Sequence, residues 1–583
     1  MYLDAIKLDR FRSCADTRIK FQSDLTVLVG ENNGGKTNII DALRLLTLPL
    51  NGRRDRYPDD DDIRKGSTET DFRIEGRFAD LSDTLKGLLI GAVPDPTTDI
   101  AVLGMRYQAK VAGYHRGRTS FWAGRFDTAE PEPGSTDLIR HIYLPPLRDA
   151  QQALGSASAT RITTLLQHFM QDGEEEAFLT HVRRTSEPHR VITEINTEIG
   201  DALGNLTSGI RTQSASLGFA SESLLDVARD LRFRLADAGL TPEEIRSSGL
   251  GYANLLYMAT VAVELSRARE ADLTLFLVEE PEAHLHPQLQ MLVLDFLLSR
   301  ARDSARSTPS PGQPEGRIQV IVTTHSPNLT AWVSPKHLVV IRSVSDDTAT
   351  PRTQQTVSIP IAELKLRPAA FNKVSRYLDV TRSALLFGSR ALLVEGIAES
   401  LLLPAIAQHV VLKDDPQAWQ RFRGAVVVPI DGVDFAPYVE ILLRPHNGMR
   451  IADRIVVITD ADPGVPGDRR GMLLALANSF GSMDNLRVVT NQRTLEHELF
   501  ISGNEKLLKL SFLAIHRNSR RTWEERIEAL QQDLRPAAFL KLLTDTRTRK
   551  GDYAQEIAMR IAKGAPFVVP DYLRAAINEI TRV

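Results

Sequence analysis

Cysteine is almost missing from this chain: a single one, Cys14, occurs in 583 residues. That excludes an intrachain disulfide and a cysteine-based metal cluster, and the plain reading of Cys14 is a strand or turn residue of no chemical role. Long apolar runs are missing too. Nothing is long enough to span a bilayer, and Met1-Tyr2-Leu3-Asp4 does not open a signal peptide, so the expectation is a cytoplasmic protein with no membrane partner. Charge of one sign is also absent. The 71 Lys and Arg against 74 Asp and Glu leave a net charge of -3, which gives no global attraction to nucleic acid. The local basic runs Arg53-Arg54, Arg183-Arg184 and Arg547–Lys550 read first as solvated surface. What remains is an ordinary globular composition, 42% hydrophobic and 25% charged, in a chain too long for one core.

The most informative stretch is Leu25–Leu46. An apolar strand, Leu25–Val29, runs into Gly30-Glu31-Asn32-Asn33-Gly34-Gly35-Lys36-Thr37 and then into an amphipathic helix. This is the P-loop pattern G-x-x-x-x-G-K-[ST] between the strand and helix that it requires. Gly30, Gly34 and Gly35, with Asn33 among them, let backbone N–H groups converge on a phosphate, and the helix start adds its dipole. Lys36 would reach the β- and γ-phosphates of ATP, and the Thr37 hydroxyl would ligate Mg²⁺.

Taken in order, residues 1–22 alternate in two pieces and predict a hairpin leading into the P-loop strand. Asn51–Asp62 reads as an exposed acidic loop. Period-two stretches between Asp71 and Arg125 predict an antiparallel sheet, and His141–Leu144 a buried strand closed by Pro145-Pro146. Residues 157–240 carry helical spacing at Thr163–Gln171, Glu174–Arg183 and Val191–Leu203. They read as a helical insertion that is either a dimer contact or a structural arm. At Ser247–Asn254, a Ser and glycines precede an apolar helix, which makes either an anion site around Ser248 and Gly249 or an ordinary capped helix. The apolar strand Leu273–Val278 ends in Glu279-Glu280, acids that are costly at a buried strand end unless a cation or water uses them. Glu279 would sit in the Mg²⁺ sphere and Glu280 would orient or deprotonate the attacking water. His284 and His286 lack a metal-ligand spacing and read as turn residues. A further strand, Ile318–Val322, leads to His325, placed to sense the γ-phosphate.

These pieces, in this order, resemble the ATP-binding-cassette (ABC) ATPases, particularly the repair ATPases of the structural-maintenance type. The signature loop departs from Leu-Ser-Gly-Gly-Gln: Ser248-Gly249 is kept, but Leu250 and Gly251 follow, with no Gln. Gln151 and Gln152 are candidates for the Q-loop. The resemblance implies that two nucleotide domains sandwich ATP, and hence a homodimer or higher oligomer.

A second α/β pattern begins near Thr381. The strands Ala391–Val394, Ala425–Ile430, Arg454–Thr459 and Leu486–Thr490 alternate with helices, which predicts a parallel sheet with ligands beyond the strand C-terminal ends. Glu395, Asp460 and Asp462 fall at such ends, and carboxylates gathered there repel unless divalent cations neutralise them; oxygen-only ligands suit Mg²⁺ or Mn²⁺. The pattern Val394-Glu395-Gly396 … Asp460-x-Asp462 resembles the topoisomerase–primase (Toprim) domain. An ABC-type ATPase joined to a Toprim domain resembles the overcoming-lysogenisation-defect (OLD) family of nucleases over nearly the whole chain. By that resemblance Glu395 and Glu399 are the Glu-x-x-x-Glu pair, Glu496 is a later acidic ligand and Lys550 is the C-terminal Lys that stabilises the transition state. The residues alone also allow Glu496 as a helix-start acid and Lys550 as an exposed cation. Asp431 and Glu498 are outer candidates.

The expected fold is therefore α/β. A P-loop ATPase (1–156 and 241–368) is interrupted by a helical, dimerising insertion (157–240) and followed by a Toprim domain (369–583). The expected function is a DNA endonuclease with two ions at the Toprim site and one with ATP, gated by the ATPase. The family implies phage defence or DNA repair and a helicase-like partner. The rivals are a DNA-tethering ATPase with a structural Toprim domain, and a topoisomerase, for which Tyr438 and Tyr553 are the available nucleophiles.

Overall fold

The computed structural model describes residues 1–50, 52–110, 117–146, 174–185, 271–283, 287–307, 312–346, 353–461 and 468–582, with a few isolated positions besides. Asp462, Gln151, Gln152, Ser247–Gly251, His284 and His286 lie outside them, as do Thr163–Gln171 (apart from Leu166 and Met170) and Val191–Leu203. The strands, in chain order, begin with β1 (Tyr2–Phe11), β2 (Cys14–Lys20), β3 (Leu25–Val29), β4 (Asp71–Ala79), β5 (Ile100–Gln108), β6 (Arg118–Ala123), β7 (Ile139–Leu144) and β8 (Leu273–Glu279). Then come β9 (Arg317–Thr324), β10 (Leu338–Asp346), β11 (Thr353–Pro360), β12 (Arg390–Val394), β13 (Val426–Pro429), β14 (Arg454–Thr459) and β15 (Leu486–Thr490). The helices used below are α1 (Lys36–Leu46), α2 (Glu174–Thr185), α3 (Pro287–Arg306), α4 (Ile397–Ile406), α5 (Ala436–Leu443) and α6 (Arg469–Ser479). They continue with α7 (Leu495–Ile501), α8 (Glu505–Ile515), α9 (Arg535–Asp545), α10 (Lys550–Ala562) and α11 (Asp571–Thr581).

The chain divides into two compact units, one made of Met1–Leu46, Arg54–Ser135 and Val320–Val583, the other of Thr47–Arg53 and Thr136–Gln319. In the first unit, β1 and β2 form the expected hairpin, with Phe11 paired to Cys14. The antiparallel sheet runs β2-β1-β4-β5-β6. Along β4 each second residue is buried, so one face is core and the other wet, the usual economy of an antiparallel sheet. Cys14 is fully buried at the start of β2, and its thiol is pushed up to about 11, chiefly by desolvation. β3 does not alternate: all five residues of LTVLV are buried. That is what a central parallel strand requires, and β3 pairs in parallel with β9 on one side and β10 on the other. The acidic segment expected as a loop is only partly exposed. Asp60–Asp62 forms a capped 3₁₀ turn, and Asp62 turns inward to accept from Arg12 at 2.9 Å and Arg56 at 2.6 Å. Two arginines offset the cost of burying that carboxylate.

In the second unit β7 and β8 pair in parallel, with Tyr143 level with Leu277, and α2 covers the expected Glu174–Arg183 segment.

The C-terminal part of the first unit is built on four parallel strands in the order β13-β12-β14-β15. Each is short and apolar, and helices link them, so every strand points its C-terminal end to the same edge. The helices after β15 enclose an aromatic core. Trp523 is fully buried, with Phe512 at 5.4 Å and Phe539 at 5.7 Å between ring centroids, and Phe539 is 6.1 Å from Tyr553. One connection between this part and the P-loop sheet is made by Arg342 of β10, which donates to Asp453 at 2.7 and 3.1 Å and to the Arg450 carbonyl at 2.6 Å, just ahead of β14.

Emptying the Trp523 site removes the centre of that cluster. Trp523→Ala is expected to destabilise the C-terminal part by about 3–5 kcal/mol. The check is a lower urea midpoint in near-UV circular dichroism, with the P-loop half unaffected at the same denaturant concentration.

Candidate functional site

Two groups of candidate residues lie in the first unit, and one pair lies in the second. In the P-loop, the glycines are dictated by geometry. Gly30 has φ +147° and a Cβ there would lie 2.0 Å from the Ile341 carbonyl; at Gly35, φ is +102° and a Cβ would lie 2.2 Å from the Thr356 hydroxyl. Asn33 takes the left-handed conformation at φ 65°, which Asn tolerates better than most residues. The Thr356 hydroxyl donates to the Gly34 carbonyl at 3.1 Å and so braces the loop from β11, a contact that no local motif announces. Lys36 is 5% exposed, and its ammonium donates to the carbonyls of Gly30 and Glu31, both at 2.8 Å. His325, just past β9, brings Nδ1 to 3.4 Å from the Lys36 ammonium, so the two residues expected at the phosphates lie beside each other. Thr37 stands exposed in the first turn of α1.

In the second unit, Glu279 closes β8 as a buried acid, and the Tyr143 hydroxyl donates to it at 3.1 Å. Glu280 follows in the left-handed region at φ 44°, a conformation unusual for Glu and a mark of a backbone held for a purpose. Ser248 and Gly249 are outside the described residues.

The carboxylate centre follows from strand order. β12 and β14 are central neighbours, and Leu393 lies level with Val457, so Glu395 comes level with Thr459 two residues later. Oε1 of Glu395 accepts from the Thr459 hydroxyl at 2.5 Å, the Asp460 backbone N–H at 2.8 Å and the Arg469 guanidinium at 3.0 Å. Arg469 also donates to the Asp460 carbonyl at 3.0 Å and to the Thr459 hydroxyl. From the end of β15, the Asn491 side chain donates to Asp460 Oδ1 while accepting from the Ala461 N–H at 3.1 Å. Glu399, in the first turn of α4, and Glu496, in the first turn of α7, are both buried. Lys550 is the first residue of α10, a position where the helix dipole disfavours a cation. Its ammonium is instead held 3.3 Å from Glu496.

The electrostatics show that these groups feel one another. Desolvation, followed by Glu395, Glu399 and Glu496 against a hydrogen bond from Asn491, pushes Asp460 up to about 7. Burial, and then Glu496 and Glu395, raises Glu399 as well. Burial alone would lower Lys550, but Glu496, Asp460 and Glu399 outweigh it and hold the ammonium above its usual range. Among the described residues, no group of three or more His, Cys, Asp or Glu side chains is drawn together tightly enough to form a ready-made ion cage. Asp462 is not among those residues. The donor set nevertheless fits a hard divalent cation: the oxygens are all carboxylate, and their mutual repulsion is what such an ion would relieve.

The outer candidates have other tasks. Asp431, after edge strand β13, pairs with Arg382 at 3.0 Å, and Glu498 accepts from the Gln492 N–H at 3.2 Å. Neither tyrosine is placed as a nucleophile. Tyr553 is in the aromatic core with its hydroxyl donating to the Leu508 carbonyl at 2.9 Å, and Tyr438 is 5% exposed on α5. Sequence reasoning missed Thr459, Arg469, Asn491 and Thr356. Asn491 was findable, since it ends a parallel strand as Glu395 and Asp460 do; Arg469 has no such signal.

With the geometry described, the chain can be compared with known proteins. Residues 1–161 and 142–330 match a family described as an AAA ATPase domain, and residues 386–462 match one described as "Overcoming lysogenization defect protein-like, TOPRIM domain". The Old nuclease of Escherichia phage P2 is 23% identical over 70% of this chain and 70% of its own. The OLD nuclease of Thermus scotoductus is 24% identical, covering 71% and 75% respectively. Endonuclease GajA of Bacillus cereus is 20% identical, covering 75% and 72%. The P-loop half thus matches a family of P-loop ATPases, as the sequence predicts. No helix among the described residues is long and apolar enough to cross a membrane. The chain belongs to the AAA ATPase-domain family over its first 330 residues and joins to it an OLD-like TOPRIM domain, the composition of an OLD-family nuclease.

Proposed function

We propose that this protein is a divalent-metal-dependent DNA endonuclease whose cutting site is the carboxylate centre at the ends of β12 and β14, gated by ATP at the P-loop. The observation that carries the reading is the gathering of half-buried Asp460 with Glu395, whose carboxylate accepts the Asp460 N–H, and with buried Glu399 and Glu496, an arrangement that with desolvation pushes the Asp460 carboxyl up to about 7. A fold does not keep such repulsion among acids from four separate elements without use for it. Glu395, Glu399, Asp460 and Glu496, with Asp462, are the residues that would hold two Mg²⁺ or Mn²⁺ ions. Bound there, divalent ions supply Lewis acidity for an attacking water and for the leaving oxygen of a phosphodiester. Lys550, exposed beside Glu496, would oppose charge on the phosphate.

In the P-loop half, the backbone of Gly30–Gly35, with Lys36 and Thr37, would hold ATP and its Mg²⁺. Glu279 would join that ion's sphere, Glu280 would position the water, and His325 would report the γ-phosphate. Ser248 and Gly249 would complete the nucleotide site of a second copy in a homodimer or higher oligomer. Residues 157–240 supply the dimer contact in this reading, between ATPase segments 1–156 and 241–368, with 369–583 as the nuclease domain. Phosphodiester hydrolysis is downhill, so ATP serves as a gate and not as an energy source. The Arg342–Asp453 connection between the strand behind the P-loop and the start of β14 is a physical route for that gate. Named relatives that are nucleases, one of them an endonuclease, support DNA as substrate. Phage defence or repair, with a helicase-like partner, is the biological setting this reading favours.

Two predictions test it. Supercoiled plasmid incubated with Mg²⁺ or Mn²⁺ is expected to give nicked and linear products that EDTA abolishes. Asp460→Ala is expected to lower that rate by at least the roughly 10–100-fold seen when partners outside a metal's ligand set are lost. Cleavage equal in Asp460→Ala would move the cutting site away from these carboxylates, and no cleavage by either protein would leave a DNA-tethering ATPase with a structural TOPRIM domain. Lys36→Ala is expected to lower ATP hydrolysis by about 10²-fold, as loss of a charge-stabilising donor does. The same change is expected to alter the ATP response of cleavage but not its need for Mg²⁺. Identical cleavage with and without ATP, in both proteins, would rule gating out.

A further inference from the structure

We propose that Arg469 is a positioning residue of the ion site: its guanidinium fixes one oxygen of Glu395 against the Thr459–Asp460 strand end and leaves the other oxygen to the ion. The inference rests on the nuclease reading above and adds a residue outside the ligand set. Oε1 of Glu395 takes all three donors, from Thr459, Asp460 and Arg469, and its second oxygen takes part in none of these bonds. Three donors exhaust the lone-pair sites of a single carboxylate oxygen, so the carboxylate cannot swing without breaking all of them.

Arg469 reaches both strand ends from a third element, the start of α6. From one nitrogen it reaches Glu395 of β12 at 3.0 Å, the Asp460 carbonyl after β14 at 3.0 Å, and the Thr459 hydroxyl. The backbone ladder fixes the spacing of the two strands, and Arg469 fixes how the Glu395 carboxylate lies against the Thr459–Asp460 end. Its own backbone is fixed at the start of α6, where Asp468 caps the helix by accepting from the Gly471 N–H at 2.8 Å. A Cβ at position 471 would lie 2.1 Å from that Asp468 carboxylate, so glycine there is what allows the cap. All three contacts come from one terminal guanidinium nitrogen, so an ammonium carried on a differently shaped stem replaces them only in part. The positive charge also offsets the repulsion among the acids.

The test is Mn²⁺ binding to the full-length protein without nucleotide or DNA, read from the loss of the free Mn²⁺ signal in electron paramagnetic resonance. Arg469→Ala is expected to weaken Mn²⁺ binding roughly 10–100-fold, the range for partners that orient metal ligands. Arg469→Lys is expected to recover part of that loss. The Mn²⁺ concentration for half-maximal plasmid cleavage should rise by a matching factor. A melting curve checks folding, and if Arg469→Ala melts early, Arg469→Gln, which keeps a planar donor, carries the comparison. Unchanged Mn²⁺ affinity in a folded variant would overturn the inference, since a purely structural arginine predicts that result. Tighter binding would overturn it too, by making the guanidinium a competitor of the ion. Absence of Mn²⁺ binding in the unaltered protein would instead remove the nuclease reading beneath it.

Discussion

Everything in the C-terminal part of this protein turns on the repulsion between carboxylates at the ends of two adjacent parallel strands. Neighbouring strands lie about 4.8 Å apart, so acids that follow them are brought close whether or not their charges agree. Two like charges about 4 Å apart in a half-buried setting repel by roughly 4 kcal/mol. The structure answers with fixed donors rather than with distance. Arg469 and Thr459 hold Glu395, Asn491 holds Asp460, and Lys550 faces Glu496. Even so, Asp460 stays near pH 7 instead of the ordinary carboxylate range, with desolvation the larger cause and the neighbouring acids the next. Charge therefore remains uncompensated where a dication would fit.

The same economy appears in the P-loop. A polypeptide turn that wraps a phosphate has to bring backbone N–H groups inward, and the surrounding sheet packs against it so closely that side chains are excluded. Ile341 of β10 and Thr356 of β11 come within about 2 Å of where Cβ atoms would stand on Gly30 and Gly35. The strand that crowds Gly30 is also the one whose next residue, Arg342, grips Asp453 ahead of β14. Adjacent residues of β10 thus touch the P-loop and the segment that leads into β14.

Much of this was legible in the sequence because period and punctuation agree there. β3 begins and ends where the apolar run does, and α1 starts at Lys36 as the motif requires. Glu395 and Asp460 were found by the rule that parallel strands present ligands at their C-terminal ends, and strand order then made them neighbours. Glu496 and Lys550 were each reached only through family resemblance, and their pairing had no signal, because 54 residues and several helices separate the two. Arg469 and Thr356 were invisible for a physical reason. Each acts through a contact made in three dimensions, one from a helix start and one from a distant strand, and neither sits in a motif. The acidic segment before Ile63 misled for the converse reason: charge suggested exposure, but Arg12 and Arg56 draw Asp62 inside.

The central claim is that these acids hold divalent metal, and the most direct measurement is anomalous X-ray scattering from crystals of the protein grown or soaked with Mn²⁺. The account requires anomalous density among Glu395, Glu399, Asp460 and Glu496, with Asp460 Oδ2 or the second oxygen of Glu395 in contact with it. Crystals with Mn²⁺ bound elsewhere, and none among these side chains, would contradict it.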